Sequence, residues 1–421
     1  MTITVPSYAS PTLVAKRIAQ WFYTMSPIVK TAYKGYANMF DNNKLSTPGT
    51  TFNVALDNRF TLQRSDAITL EGIVDRTVPV TVQNPYRMGA AYTTTAQKLL
   101  IRDLDQQTIK PMSATISAGI EQDLISQFEL YGYNFQDFTT TYNSSTSGIL
   151  DTPAKVGQIA TFFREYSIDA VIPWYGSIRP NNYQAMVDGF PSSFYPKTND
   201  SVLHDDIKSK DVKRINSFDL MWSEVLYKHV GGTAGGATGV TLNATVSSGT
   251  SITLAGLTPG LTFAVGDRLV FPASYKVNPV TRDDITNSNF QAVVAAAATV
   301  GGGGTVTLTI YVGPGGLNAN TDDPNRNLNR ALTSGDSVQI ISEFCLNCFY
   351  TGNAVLFAPI DQAAFDVAPN QRGAESDPHS KLKFRVTYFP SPGTNQNTVY
   401  VDALMAMGIA PEGTSIALTD N

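Results

Sequence analysis

Four groups of residues in this 421-residue chain have types and spacings that could do chemistry. Cys345-Leu-Asn-Cys348 has the spacing of a redox pair or of half a zinc site, but the chain holds no other cysteine. His204, His229 and His379 are scattered too widely to complete a four-ligand set. Two ordinary reduced residues near a strand end are the favoured reading, with oxidative chemistry as the alternative. Gly301-Gly-Gly-Gly304 has the composition of a phosphate loop, yet no Lys-Ser/Thr follows, and Thr305 to Val312 alternate as a strand does. A hairpin turn is the better assignment. The acid pairs Asp205-Asp206, Asp283-Asp284 and Asp322-Asp323 lack the alternating oxygen ligands and central glycine of a calcium loop and read as solvated turns. No Gly-X-Ser-X-Gly is present, and no histidine lies near a plausible nucleophile, so a hydrolase triad has no support. No catalytic, cofactor-binding or metal-ligating residue is therefore assigned, and no enzymatic activity is expected.

The elements around these groups are mostly strands, with one long helix among them. Met112, Ile116, Ile120, Leu124 and Phe128 recur every four positions with Ile109 and Ile125 beside them, which predicts an amphipathic helix within Asp103 to Phe128. Pro111 sits near its start and Gly132 follows its end. A shorter helix behind Pro11-Thr12 carries Val14, Ile18, Trp21, Phe22 and Met25, and Pro27 ends it. Phe52, Val54 and Leu56, then Val78, Val80 and Val82, alternate with polar residues as two arms of a long hairpin. Between and beside them Asp57, Arg59, Arg64, Asp66, Glu71, Asp75 and Arg76 mix both signs, and such a hairpin is expected to reach another chain.

Further on, Thr152-Pro153 caps a helix whose inward face is Val156, Ile159, Ala160 and Phe163. Ala170 to Tyr175 reads as a strand, and Pro180 to Phe190 as a helix with Tyr183, Met186 and Val187 inward. Composition then shifts. No Asp, Glu, Lys or Arg occurs from Gly231 to Gly266 or from Ile285 to Thr321. Strand signals at 240–246, 251–254, 268–271, 290–294 and 305–312, separated by Gly-rich turns, predict a small all-β barrel or sandwich. Buried strands are expected at Ile340-Ile341 and Val355 to Phe357, and a strand pair at Leu382 to Phe389 and Asn397 to Met405.

Charged residues make up only 15% of the chain and the net charge is -5, so Thr, Ser, Asn and Gln must cover much of the surface and tight electrostatic binding of nucleic acid is disfavoured. No run of about 18 apolar residues occurs, so no membrane-spanning helix is expected. The first ten residues do not read as a signal peptide, which leaves the Asn-X-Ser/Thr matches at Asn143, Asn199 and Asn243 with little weight. Two cysteines fit a reducing compartment.

The order of parts resembles the major capsid proteins of tailed bacteriophages, the HK97-like fold. The segments that carry it are Lys98-Leu-Leu-Ile-Arg-Asp-Leu-Asp with Thr108-Ile-Lys-Pro, Ile120-Glu-Gln-Asp-Leu124, and Val401-Asp-Ala-Leu-Met-Ala-Met-Gly-Ile-Ala-Pro-Glu412. Gly266-Asp-Arg-Leu-Val-Phe271, Tyr275-Lys-Val-Asn-Pro279 and Phe290-Gln-Ala-Val-Val294 resemble the inserted β domain of coat proteins from Salmonella-type short-tailed phages.

The resemblance implies an α+β fold with an N-arm (1–45), an E-loop (46–98), a peripheral domain with a long spine helix (99–150) and an axial domain (151–229). An inserted all-β barrel-like domain (230–342) and a return through the axial and peripheral domains (343–421) complete it. It implies self-assembly through pentamers and hexamers into an icosahedral virion shell around double-stranded DNA, packaged without sequence specificity. A scaffolding protein, a portal protein and a cementing protein are the implied partners, assembly is placed in the host bacterial cytoplasm, and neither cofactor nor membrane is implied. Some capsids of this fold are locked by a Lys–Asn bond from the E-loop. No Lys lies between Lys44 and Lys98, so non-covalent locking is expected here. The alternative function is a phage tail or surface protein with a carbohydrate-binding β module, which Trp21, Trp174 and Trp222 disfavour by all lying outside 230–342.

Overall fold

The computed structural model describes residues 11–36, 51–60, 75–93, 109–140, 142, 147–168, 171–188, 214–361, 371–391 and 396–420. The chain is mixed α and β, with more strand than helix. Five helices occur among the described residues: α1 (Pro11–Met25), α2 (Pro27–Thr31), α3 (Lys110–Tyr131), α4 (Pro153–Glu165) and α5 (Pro180–Asp188). Four begin on proline and α3 has Pro111 second, because a first-turn N–H has no intrahelical acceptor to lose. The chain divides into two units: Met1–Asn53 with Pro79–Leu124 and Val355–Gly408, and Val54–Val78 with Ile125–Ala354 and Ile409–Asn421.

Every apolar position of the four-residue repeat is buried, Ile109 just before α3 and Met112, Ile116, Ile120, Leu124, Ile125 and Phe128 within it. The helix runs three residues beyond Phe128 and stops at Gly132. A Cβ there would lie 2.6 Å from Phe128 O and 2.7 Å from Ile416. Residues 103–108 of the expected helix lie outside the described residues.

The first unit carries a seven-stranded sheet in the order Thr51–Ala55, Thr77–Val82, Gln396–Ile409, Lys383–Ser391, Gln371–Ser376, with Val355–Ile360 and Tyr86–Thr93 also paired to the long strand Gln396–Ile409. The expected pair near 382–389 and 397–405 is present and antiparallel. α1 lies on Gln371–Ser376 and Lys383–Ser391, with Phe22 edge-on to Phe384 at 5.1 Å. Two buried polar contacts tie α1 and α2 to α3: Ser113 donates to Ile18 O, and Glu121 accepts from Ile28 N at 3.0 Å. The hairpin arms alternate as expected, Val54, Val78 and Val80 being buried. Their charges do not all face outward. Arg59 and Arg76 are buried against Glu412 of the same chain. Arg64, Asp66 and Glu71 lie outside the described residues.

Among the described residues the second unit holds two large sheets and two short two-stranded ones. One large sheet has the order Phe135–Asp137, Thr414–Thr419, Glu343–Thr351, Trp174–Ile178, Phe218–Trp222, Arg214–Ile215, with Lys228–Val230 also on Glu343–Thr351. The inward face of α4, Val156, Ile159, Ala160 and Phe163, packs on it through Trp174, Phe218 and Phe349, with Phe163 within 5.2 Å of both Trp174 and Phe218. Thr152 occupies the cap position, though its side chain makes no capping bond. The strand expected at 170–175 begins at Trp174, since Pro173 brings no N–H to a ladder, and Val171 is 90% exposed.

The other large sheet is antiparallel, in the order Gln339–Ile341, Arg268–Val277, Asp284–Val294, Val306–Tyr311, Ser251–Ala255, Thr241–Leu242. Its edges meet: Thr241 bridges Ser337, Leu242 N donates to Asp336 O, and Val338 N donates to Val240 O. Leu254, Leu269, Phe271, Phe290, Leu308 and Ile340 fill the interior. The strands expected at 268–271 and 290–294 run on to Val277 and back to Asp284, past a register shift after Phe271. The strand expected at 240–246 pairs regularly only at Thr241–Leu242. Gly301–Gly304 forms a tight turn, Gly304 N donating to Gly301 O, as expected.

Candidate functional site: a buried polar junction at the end of the long helix

The last turn of α3 and the residues after it meet the second sheet through charged groups withdrawn from solvent. Arg268 is fully buried. Its Nη1 donates to Gly132 O and its Nη2 to Glu129 O, each at 2.8 Å, so one guanidinium satisfies carbonyls that a helix C-terminus leaves without partners. The rings of Phe135 and Phe344 lie 5.8 and 5.6 Å away. Asp267 is equally buried and accepts from Ala264 N, Gly232 N and His229 Nε2. His229 Nδ1 pairs with Glu129, which also accepts from Tyr227 Oη. The turn that places Asp267 requires Gly266, with φ +97° and a would-be Cβ only 2.8 Å from Glu129 Oε1. A second cluster lies in the same unit: Lys276 Nζ donates to Asn134 Oδ1 at 2.9 Å and to Gln291 Oε1, and Gln291 also pairs both ways with the Phe135 backbone.

Burial is the largest influence on His229 and opposes its charged form, but its contacts to Asp267 and Glu129 outweigh it and raise the pKa. Burial likewise opposes the Glu129 carboxylate and is outweighed by the bonds from His229 and Tyr227, which hold that pKa low. Burial lowers Arg268 to about 10, leaving it charged at neutral pH, and drives Lys276 well below its ordinary value.

Among the described residues both ring nitrogens of His229 are engaged, no serine, threonine or cysteine bonds to it, and clefts of about 570 and 420 Å³ in this unit are lined by other residues. Among the described residues no group of three or more His, Cys, Asp or Glu side chains is placed to hold a metal, and no helix is long and apolar enough to cross a membrane.

A pH dependence follows. Because the folded pKa of His229 is raised, its contribution is present in full below the unfolded value of about 6.5 and is lost as pH rises through the folded value. Lys276, whose folded pKa is depressed, has the opposite sign, but it is common to the unaltered chain and to His229→Gln and cancels in their difference. The gap in thermal midpoint between the two should be widest near pH 6 and narrow as pH rises above the unfolded value. A gap constant over that range would show that His229 carries no charge in the fold.

The motifs singled out in the sequence fall elsewhere. Cys345 and Cys348 are the third and sixth residues of the nine-residue strand Glu343–Thr351, well inside it rather than near its end. Three apart, they point to opposite faces. Both are buried and free, and burial raises both thiol pKa values, so neither is a reactive thiolate. Asp283 and Asp322 are exposed, Asp284 approaches Arg326 at 3.7 Å, and Asp205-Asp206 and His204 lie outside the described residues.

What the motif search missed was legible in one respect. Asp267-Arg268 interrupts a charge-free stretch immediately before the apolar run Leu269-Val-Phe271, and Lys276 sits inside the same strand. A charge so placed must be paired or destabilise the fold.

No protein-family model matches the chain, and no curated protein matches it in sequence. Among solved structures it is similar to the capsid of Ralstonia phage GP4, with TM-score 0.42 at 8% identity over 89% of this chain and 84% of that one. It is also similar to the capsid of the cyanophage P-SCSP1u, with TM-score 0.39 at 9% identity over 88% and 84%. A virus-like particle from Pyrococcus furiosus gives TM-score 0.40 at 7% identity over 96% and 97%.

Proposed function

We propose that this chain is the major capsid protein of a tailed bacteriophage, with an HK97-like fold, and that many copies assemble into an icosahedral shell around double-stranded DNA. The observation that carries this reading is the order of parts along the chain. A helical arm precedes a charged hairpin, one long amphipathic helix follows, an α/β region is interrupted by an all-β stretch, and the C-terminal strands return to both units. In this reading 1–45 is the N-arm, 46–98 the E-loop, 99–150 the peripheral domain, 151–229 the axial domain, 230–342 an inserted barrel-like domain of the Salmonella-phage type and 343–421 the return. The buried junction of Arg268, Asp267, His229 and Glu129 supports it, because a shell subunit must hold its inserted sheet in a fixed orientation on the helix while weak contacts add up around it.

The partners are other copies of the chain, a scaffolding protein during assembly in the bacterial cytoplasm, a portal protein, a cementing protein and the packaged DNA. Electron microscopy of the expressed chain, alone and with a co-expressed scaffolding protein, tests the reading. Closed shells are the expected result. Stable monomers or trimers under both conditions would overturn it in favour of a tail or surface protein.

A further inference from the structure

Two arginines and one carboxylate meet where residues 59 and 76 approach the turn Pro411–Gly413. Arg59 Nη2 donates to Glu412 Oε1 at 2.8 Å, Arg76 Nη1 donates to Oε2 at 3.2 Å, and Arg76 Nη2 also reaches Oε1. The side chains of Arg59 and Arg76 are 7% and 6% exposed, that of Glu412 24%. Arg76 Nε is buried with no partner. Among the described residues Glu412 is the one carboxylate within ion-pair distance of either guanidinium. Among the described residues one positive charge is thus withdrawn from water without a counter-charge, and a guanidinium does not shed its proton to escape that cost.

We propose that the Arg59–Arg76 pair is a carboxylate-binding site whose second carboxylate comes from a neighbouring copy of this chain. Charge complementarity favours that occupant. The chain carries a net charge of -5, so each copy has acidic side chains to spare, and a single surplus cation is too little to hold a nucleic-acid backbone. Phe60, beside Arg59, is 62% exposed, and a protein surface covers an apolar ring where a phosphate does not. The proposal rests on the shell reading above and adds to it a named contact.

Arg59→Gln removes the surplus charge and leaves Arg76 paired one-to-one with Glu412. The soluble subunit should therefore keep or raise its thermal midpoint, while shell yield near the assembly threshold falls by about tenfold or more. In a cryo-EM map of unaltered shells, an Asp or Glu of an adjacent copy should lie within about 4 Å of Arg59 or Arg76. Shells from Arg59→Gln at unchanged yield, or a map with phosphate or solvent alone at the pair, would overturn the proposal and leave the shell reading intact. Absence of shells from the unaltered chain would overturn both. If Arg59→Gln does not fold, the map alone decides.

Discussion

Ile120→Asp should leave the chain insoluble. Ile120 is fully buried midway along α3, between Ile116 and Leu124 on the same face. The substitution gives up about 1.5–3 kcal/mol of side-chain burial and places a carboxylate where it must take up a proton or stay unpaired, at a further cost of several kcal/mol. The sum approaches the whole stability of a typical fold, about 5–15 kcal/mol. Ile120→Val, which removes one methyl group, should cost only about 0.5–1.5 kcal/mol and remain soluble. Soluble Ile120→Asp with an unchanged denaturation midpoint would mean that α3 is not a core element.

Arg268→Ala is expected to destabilise the second unit by about 3–5 kcal/mol. The change strips the carbonyls of Glu129 and Gly132 of their donor, removes a cation beside Glu129 and Asp267, and opens a cavity between Phe135 and Phe344. Arg268→Met fills the space without the charge. It should recover the packing part of the loss and none of the hydrogen-bonded part, since both carbonyls stay unsatisfied. Urea denaturation of the three chains would separate these contributions; equal midpoints for all three would show that the guanidinium contributes nothing to the junction.

Local pattern was legible in the sequence wherever the physics that sets it is local. The repeat from Met112 to Phe128 required a helix because any other conformation would expose one of its apolar faces, and all of those residues are buried. Val54, Val78 and Val80 required extended backbone for the same reason at period two. Gly301–Gly304 required a turn, and the charge-free stretches flanking 268–284 required a β-rich region whose surface is threonine and serine rather than lysine and glutamate. Element ends were less legible, as at Trp174, because a strand starts where its first ladder partner begins, and that partner is Phe218.

Tertiary structure alone decided which charges are interior. In a one-dimensional reading Arg76, Glu129 and His229 are unremarkable polar residues, Arg268 stands out only by its charge-poor surroundings, and the usual place for such residues is water. Their partners lie far along the chain: Glu412 for Arg76, His229 for Glu129, Gly132 for Arg268. Periodicity carries no information across such separations, because it reports which face of an element is apolar and not which element covers it. The sequence determined where helices, strands and turns form, since neighbouring residues set those preferences. The fold determined that a guanidinium ends the long helix and that two arginines share one carboxylate, since those depend on groups that meet only when distant segments pack.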